Sequence, residues 1–136
     1  MTYILDACAL LAFLNEETGK GYETVRGLLD RAVTGKVTLY MSLVNLVEVH
    51  YRFIQLKGNE IADAAMGPVK SLPVMFISNI SGEIYCETAR FKAGYSISLA
   101  DAFLCATAKS LAATIVTKDK EIKPVEENEA LSVLWI

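Results

Sequence analysis

The chain has 136 residues, of which 53% are hydrophobic and 21% are charged. This composition excludes intrinsic disorder, because disordered chains are rich in charge and poor in apolar residues, and the length predicts a single domain over residues 1–136. The net charge of −3 and the pI of about 5.2 are unlike the basic surface of a protein that binds nucleic acid through charge alone.

The first segments alternate between strand-like and helix-like patterns. Residues 3–5 form a short apolar run that predicts a buried strand, and residues 7–14 follow as a short apolar helix. Residues 22–32 carry apolar side chains at helical spacing, and residues 37–41 predict a second strand.

The middle of the chain continues the same alternation. Ser42 is a candidate N-cap for a helix over residues 43–56. A further helix begins near residue 59 and is expected to end at about residues 67–68, a Gly-Pro pair, and residues 74–77 then predict a third strand.

The remaining residues predict two helices and two strands. The helices cover residues 81–93 and 99–112, and the strands cover residues 114–117 and 131–136. We expect the charged stretch 118–129 to be a loop. Strands that alternate with one or two helices predict an α/β domain of three layers, with a central, mostly parallel sheet of about five strands covered by helices on both faces.

The sequence predicts neither a membrane segment nor a disulfide. No apolar run reaches the roughly 18 residues that a transmembrane helix needs. The apolar opening contains Asp6 and follows no basic region, so we expect neither a signal peptide nor an anchor. The cysteines, Cys8, Cys86 and Cys105, are odd in number and widely spaced, as expected for reduced thiols in the cytoplasm.

Four carboxylates fall where the predicted strands end or where the following helices begin. Asp6 follows the first strand, Glu48 lies in the helix after the second strand, Asp101 lies in the first turn of a helix, and Asp119 follows the fourth strand. In an open parallel sheet, ligands bind outside the carboxyl ends of the strands. We therefore expect these four side chains to converge.

Each acid also has an ordinary structural explanation when it is taken alone. Asp101 is favourable near a helix N-terminus, and Asp119 is a common turn residue. Asp6 and Glu48 are harder to explain in this way, because they interrupt apolar segments where an unpaired carboxylate is costly. Crowded carboxylates raise one another's pKa, and a divalent cation relieves the repulsion. Hard oxygen ligands suit Mg²⁺ or Mn²⁺.

Four short motifs occur in order along the chain. Residues 3–6 (YILD) precede an apolar helix, and residues 42–48 (SLVNLVE) place a Ser at a helix start and a Glu within that helix. Residues 98–108 (SLADAFLCATA) are the most specific stretch, and residues 117–119 (TKD) follow a short strand. In this order the motifs resemble the PIN domain family and, within it, the VapC-type toxins of bacterial and archaeal toxin–antitoxin pairs.

The resemblance implies a PIN-like fold and a Mg²⁺-dependent endoribonuclease, with Mn²⁺ as an alternative cation. Asp6 and Asp101 would be the main metal ligands. Glu48 and Asp119 would complete the acidic pocket, either by holding metal-bound waters or by assisting deprotonation of the attacking water. Hydrolysis of the RNA phosphodiester would leave a 5′-phosphate and a 3′-hydroxyl.

The resemblance also implies supporting residues and partners. Ser42 and Thr117 match small hydroxyl positions that orient the carboxylates. Many family members have Ser, Thr or Asn just after the first Asp, whereas this chain has Ala7 and Cys8. An RNA substrate, a cognate antitoxin protein, a homodimer and a cytoplasmic location are the further expectations.

Two other interpretations remain open from the sequence. One is a non-catalytic PIN-like module that binds RNA or a partner without cutting, which the replacement of the usual hydroxyl by Ala7 and Cys8 keeps open. The other is a phosphoacceptor receiver domain, which would need paired acids after the first strand and an Asp closing the third. Here Asp6 stands alone, and the third strand is followed by Ser78 and Asn79.

Overall fold

Five parallel strands form the central sheet of the computed structural model, which describes residues 1–136. The strands are β1 (Thr2–Leu5), β2 (Thr38–Ser42), β3 (Met75–Ile77), β4 (Thr114–Thr117) and β5 (Val133–Trp135). Their order across the sheet is β3-β2-β1-β4-β5, and every neighbouring pair is parallel.

Helices cover both faces of this sheet, as predicted. They are α1 (Ala7–Leu14), α2 (Lys20–Val33), α3 (Leu43–Lys57), α4 (Asn59–Lys70), α5 (Gly82–Gly94), α6 (Leu99–Leu111) and α7 (Lys123–Glu129), with a 3₁₀ turn over Lys120–Ile122. None of the helices combines the length and the hydrophobicity that crossing a bilayer requires. The predicted three-layer α/β architecture is confirmed.

Alternate residues of the strands supply two separate hydrophobic cores. In β1, Tyr3 and Leu5 face a core formed with α1 to α4, whereas Ile4 faces a core formed with α5, α6 and α7. Successive side chains of a strand point to opposite faces, so a strand buried on both faces is apolar throughout. This explains why the central strands appear in the sequence as continuous apolar runs.

Two details differ from the sequence-based expectations. The stretch 118–129 is not a loop, because Ile122 and Val125 are fully buried and fold it into the 3₁₀ turn and α7. Helix α4 also continues through Pro68 to Lys70. The proline lies in the last turn, where it removes one N–H that would bond the carbonyl four residues earlier, and the helix ends two residues later.

The strand order reverses direction between β1 and β4. From β1 the chain continues outward through β2 and β3, and it then returns to the other side of β1 as β4. Such a reversal leaves a crevice outside the carboxyl ends of the two strands, where α/β proteins bind ligands. Here Asp6 follows β1, and its N–H donates to the carbonyl of Val116 in β4 (3.1 Å).

Candidate metal centre

Asp6 is buried at the junction of β1 and α1. Its side chain is 3% exposed, and its Oδ1 accepts a hydrogen bond from the N–H of Ala7 (2.7 Å). Its Oδ2 accepts from the hydroxyl of Thr117 (2.6 Å) and lies 3.4 Å from the Sγ of Cys8. The thiol of Cys8 and the hydroxyl of Thr117, from the neighbouring strand, therefore approach the same oxygen of Asp6.

Thr117 also determines where the chain turns after β4. Its Oγ1 accepts a hydrogen bond from the N–H of Asp119 (2.9 Å) while the hydroxyl hydrogen is donated to Asp6. Asp119 in turn caps the 3₁₀ turn, because its Oδ1 accepts from the N–H of Glu121 (3.0 Å). One hydroxyl thus connects two of the four predicted acids.

Asp101 approaches the same site from α6, which lies in the helical layer formed by α5, α6 and α7. Ser98 caps α6, and its Oγ accepts a hydrogen bond from the N–H of Asp101 (3.1 Å). Asp101 is 5% exposed and lies in the first turn of α6. The cap fixes the start of the helix and therefore the direction in which this carboxylate projects.

The structure brings Asp6, Asp101 and Asp119 together. One carboxylate oxygen from each residue lies within 4.8 Å of the corresponding oxygens of the other two. The three side chains line a cleft of about 200 Å³, together with Glu48 and four further residues that sequence analysis had not placed at a site: Cys8, Arg52, Ser98 and Glu121. Of the four predicted acids, three thus form one cluster, and Glu48 lines the same cleft without belonging to that cluster.

Glu48 differs from the other three acids in its pairing. Its Oε1 forms an ion pair with Nη2 of Arg52 (2.9 Å), four residues later on α3. No lysine or arginine forms an ion pair with Asp6, Asp101 or Asp119. The spacing of Glu48 and Arg52 is a recognisable signal in the sequence, because residues four apart are neighbours on a helix.

Burial and mutual repulsion raise the pKa of two of these acids. Loss of hydration raises the pKa of Asp6, against the opposing effect of its hydrogen bonds to Thr117 and Ala7. Loss of hydration, followed by the charges of Asp6 and Asp119, raises the pKa of Asp101 to about 7. A cluster of acids with raised pKa values in a cleft is typical of a functional site.

The residues present fit a hard divalent cation. Three carboxylates without basic partners offer several oxygen atoms to one point, and oxygen is the donor that Mg²⁺ and Mn²⁺ prefer. The thiol of Cys8 is a poor donor to such an ion, and burial together with the charge of Asp6 raises its pKa to about 12. The site therefore favours an oxygen-coordinated metal over a thiolate-coordinated one.

The two predicted hydroxyl residues differ in what they touch. Thr117 contacts Asp6 and Asp119 directly, as described above. The Oγ of Ser42 accepts a hydrogen bond from the N–H of Val44 (3.2 Å), which caps α3. Ser42 thus supports the helix that carries Glu48 and makes no hydrogen bond to any of the four acids.

Comparison with known families identifies the domain. The sequence profile of the PIN domain family matches residues 3–128. The chain therefore belongs to the PIN domain family. No curated protein matches the sequence.

Several solved structures share the fold at low sequence identity. The VapBC2 complex from Rickettsia felis, bound to a promoter DNA fragment, aligns with a TM-score of 0.75 at 19% identity over 98% of each chain. The DNA-bound VapBC from Salmonella typhimurium aligns with a TM-score of 0.73 at 16% identity, covering 98% of this chain and 97% of that one. VapC20 from Mycobacterium tuberculosis, a toxin that cleaves the sarcin-ricin loop, aligns with a TM-score of 0.68 at 15% identity, covering 92% and 95%.

Proposed function

We propose that this PIN domain is a metal-dependent endoribonuclease and acts as the toxin of a toxin–antitoxin pair. One observation carries the proposal: the carboxylates of Asp6, Asp101 and Asp119 converge within 4.8 Å in a cleft at the point where the strand order reverses. The cleft lies where α/β proteins bind ligands, and these three acids form no ion pair with a lysine or arginine. Among similar folds, VapC20 is an RNA-cleaving toxin.

The four acids have distinct roles in this proposal. Asp6 and Asp101 would hold Mg²⁺ or Mn²⁺, and Asp119 and Glu48 would complete the acidic pocket. When bound, the cation would neutralise charge on the phosphodiester and favour ionisation of water. A carboxylate of the cluster would accept the proton of the attacking water, and the cleaved bond would leave a 5′-phosphate and a 3′-hydroxyl.

Thr117 is a positioning residue in this site. Its hydroxyl holds Asp6 through Oδ2 and holds the backbone of Asp119. Residues that orient metal ligands in this way set metal affinity as well as geometry.

The proposed partners follow from the same reasoning. An antitoxin protein is supported by the solved VapBC complexes that share this fold. Helix α3 exposes apolar side chains, including Val47 and Tyr51, so a homodimer or an antitoxin has an apolar surface to cover. The free thiols of Cys8, Cys86 and Cys105 are consistent with the cytoplasm.

The test is cleavage of RNA by the purified protein. We expect cleavage with Mg²⁺, none with excess EDTA, and recovery when metal is restored. Labelling of the product ends should find 5′-phosphates and 3′-hydroxyls. Cleavage that EDTA does not affect, or products with 2′,3′-cyclic phosphates, would contradict the proposal.

A further inference from the structure

A second cavity lies at the carboxyl end of β5. It has a volume of about 470 Å³ and is lined by Lys120, Lys123 and Trp135. Trp135 is the single tryptophan of the chain and is half-buried, and both lysines are exposed. The cavity therefore combines one large aromatic ring with two cations.

This cavity and the acidic cleft are both lined by residues at the carboxyl ends of the neighbouring strands β4 and β5. Lys120 follows Asp119 directly in the chain, and Trp135 is the register partner of Thr117 on the adjacent strand. Adjacent strands are about 4.8 Å apart. Thr117, which holds Asp6, therefore lies on the strand next to the one that carries the indole.

The indole is held in place by hydrogen bonds at its edge and by packing of the ring against the core. Its Nε1 donates to both carboxylate oxygens of Glu126 (3.2 and 3.3 Å), and the ring packs against the core formed with α5 to α7. The Nζ of Lys123 lies 5.5 Å from the ring centroid and 3.2 Å from Glu126. A flexible lysine therefore lies over the ring, and another exposed cation, Lys120, has no ion pair.

We propose that Trp135, Lys120 and Lys123 bind one unpaired nucleotide of RNA next to the cleavage site. The base stacks on the indole, and the flanking phosphates contact the two lysines. An aromatic ring beside cations is the usual platform for single-stranded nucleic acid, since stacking accepts any base and the cations follow the backbone. The inference rests on the proposed function, and it assigns a substrate-binding role to residues outside the acidic cleft.

The charge distribution supports an RNA strand as the occupant. The chain is acidic as a whole, with a net charge of −3, whereas the lining of this cavity includes two cations, Lys120 and Lys123. A strand that crosses the acidic cleft needs neutralisation on either side of the metal. When a base enters over the ring, the amine of Lys123 is displaced towards the adjacent phosphate.

Because Trp135 is the single tryptophan, its fluorescence reports occupancy of this cavity directly. The wild-type protein is titrated with a short oligouridylate in excess EDTA, so that binding is measured without cleavage. We expect saturable quenching of the indole emission. A fully paired RNA duplex of the same length should give little quenching, because its bases are already stacked.

Variants separate the contribution of the ring from that of the cations. In the double variant Lys120→Ala/Lys123→Ala, the plot of log affinity against log salt should become less steep by about 0.7 for each phosphate that the lysines no longer neutralise. Lys70→Ala, an exposed lysine on α4 across the sheet, is the matched control and should leave the slope unchanged. For the ring, labelled oligouridylate should bind Trp135→Leu about tenfold more weakly and Trp135→Phe nearly as well as wild type.

The outcomes distinguish this inference from the proposed nuclease. Unchanged indole emission, or an unchanged affinity and salt slope in the double-lysine variant, overturns the nucleotide site, even where the wild type cleaves RNA with Mg²⁺. Quenching that requires both lysines supports the site, even where no cleavage is found and the proposed function fails. If Trp135→Leu does not fold, the affinity and salt slope of the double-lysine variant still test the nucleotide site.

Discussion

The hydroxyl of Thr117 donates a 2.6 Å hydrogen bond to Oδ2 of Asp6, joining two residues 111 positions apart in the chain. The same hydroxyl oxygen accepts a hydrogen bond from the N–H of Asp119 (2.9 Å). One side chain therefore fixes the carboxylate at the end of β1 and the turn that carries the carboxylate after β4. The arrangement of the acidic cleft depends on this link between two adjacent strands.

Removing the Thr117 hydroxyl should weaken metal binding. Thr117→Val keeps the size of the side chain but leaves Oδ2 of Asp6 without its shortest hydrogen bond. We expect the Mg²⁺ concentration at half-maximal thermal stabilisation to rise by about 10- to 100-fold. Thr117→Ser retains the hydroxyl and should restore most of the affinity. If Thr117→Val binds Mg²⁺ as tightly as wild type does, the positioning role is wrong.

Neutralising Asp101 should separate folding from metal binding. Asp101→Asn removes a buried charge that Asp6 and Asp119 repel, so we expect the metal-free protein to be more stable by about 1 kcal/mol, or about 3 °C in Tm. The Tm increase caused by Mg²⁺ should disappear, together with RNA cleavage.

The matched control for this variant is Asp30→Asn, an exposed acid on α2. We expect it to leave both the Tm and the response to Mg²⁺ unchanged. A Mg²⁺ response in Asp101→Asn equal to that of wild type would show that Asp101 does not hold the ion.

The stability of the metal-free protein should fall as pH rises from about 4 to 7. Burial raises the pKa of Asp101 to about 7, and it also raises the pKa of Asp6. Between the unfolded and folded pKa values the folded state holds protons that the unfolded state has lost, so folding weakens by at most about 1.4 kcal/mol per pH unit for each such proton.

Denaturant titrations across this range should show that slope in wild type and a shallower one in Asp101→Asn. Saturating Mg²⁺ should reverse the trend, because ionised carboxylates are needed to bind it. Metal-free stability that is constant, or rises, from pH 4 to 7 would contradict the assignment of raised pKa values to these acids.

At lower pH a different acid should dominate. Hydrogen bonds from Arg90, and then from Tyr95, lower the pKa of Glu129 to about 2. The stability that this group contributes is present above about pH 4.5 and is lost as pH falls towards 2. In Glu129→Gln the acid side of the stability profile should flatten, while the slope between pH 4 and 7 remains.

Arg52 should weaken metal binding through its positive charge. It lines the acidic cleft and pairs with Glu48 at 2.9 Å. Arg52→Gln removes the cation and frees Glu48, so we expect Mg²⁺ to bind several-fold more tightly. Arg52→Lys keeps the charge and should resemble wild type. Weaker Mg²⁺ binding in Arg52→Gln would show that the arginine organises the site instead.

Sequence patterns predicted the sheet and its layers because the strands are apolar and are buried on both faces. They also indicated Asp6, Asp101 and Asp119, since these acids follow strands or begin a helix at one edge of a parallel sheet. The helical conformation of residues 123–129 was not predicted. The buried residues Ile122 and Val125 lie among charged side chains, and a stretch of this composition is typical of a solvated loop.

The finer organisation of the cleft depends on distances that no sequence pattern contains. The contact of Thr117 with Asp6, and that of the Cys8 thiol with both, arises from the pairing of β1 with β4. The pairing of Glu48 with Arg52 could have been predicted from their helical spacing. Whether a long arginine side chain turns towards the cleft is decided by tertiary packing.

The proposed metal centre is tested most directly by diffraction from crystals grown with Mn²⁺, recorded at a wavelength where manganese scatters anomalously. We expect an anomalous peak among the carboxylates of Asp6, Asp101 and Asp119, which disappears in Asp101→Asn. No peak at this position, or a peak that Asp101→Asn retains at full strength, would contradict it.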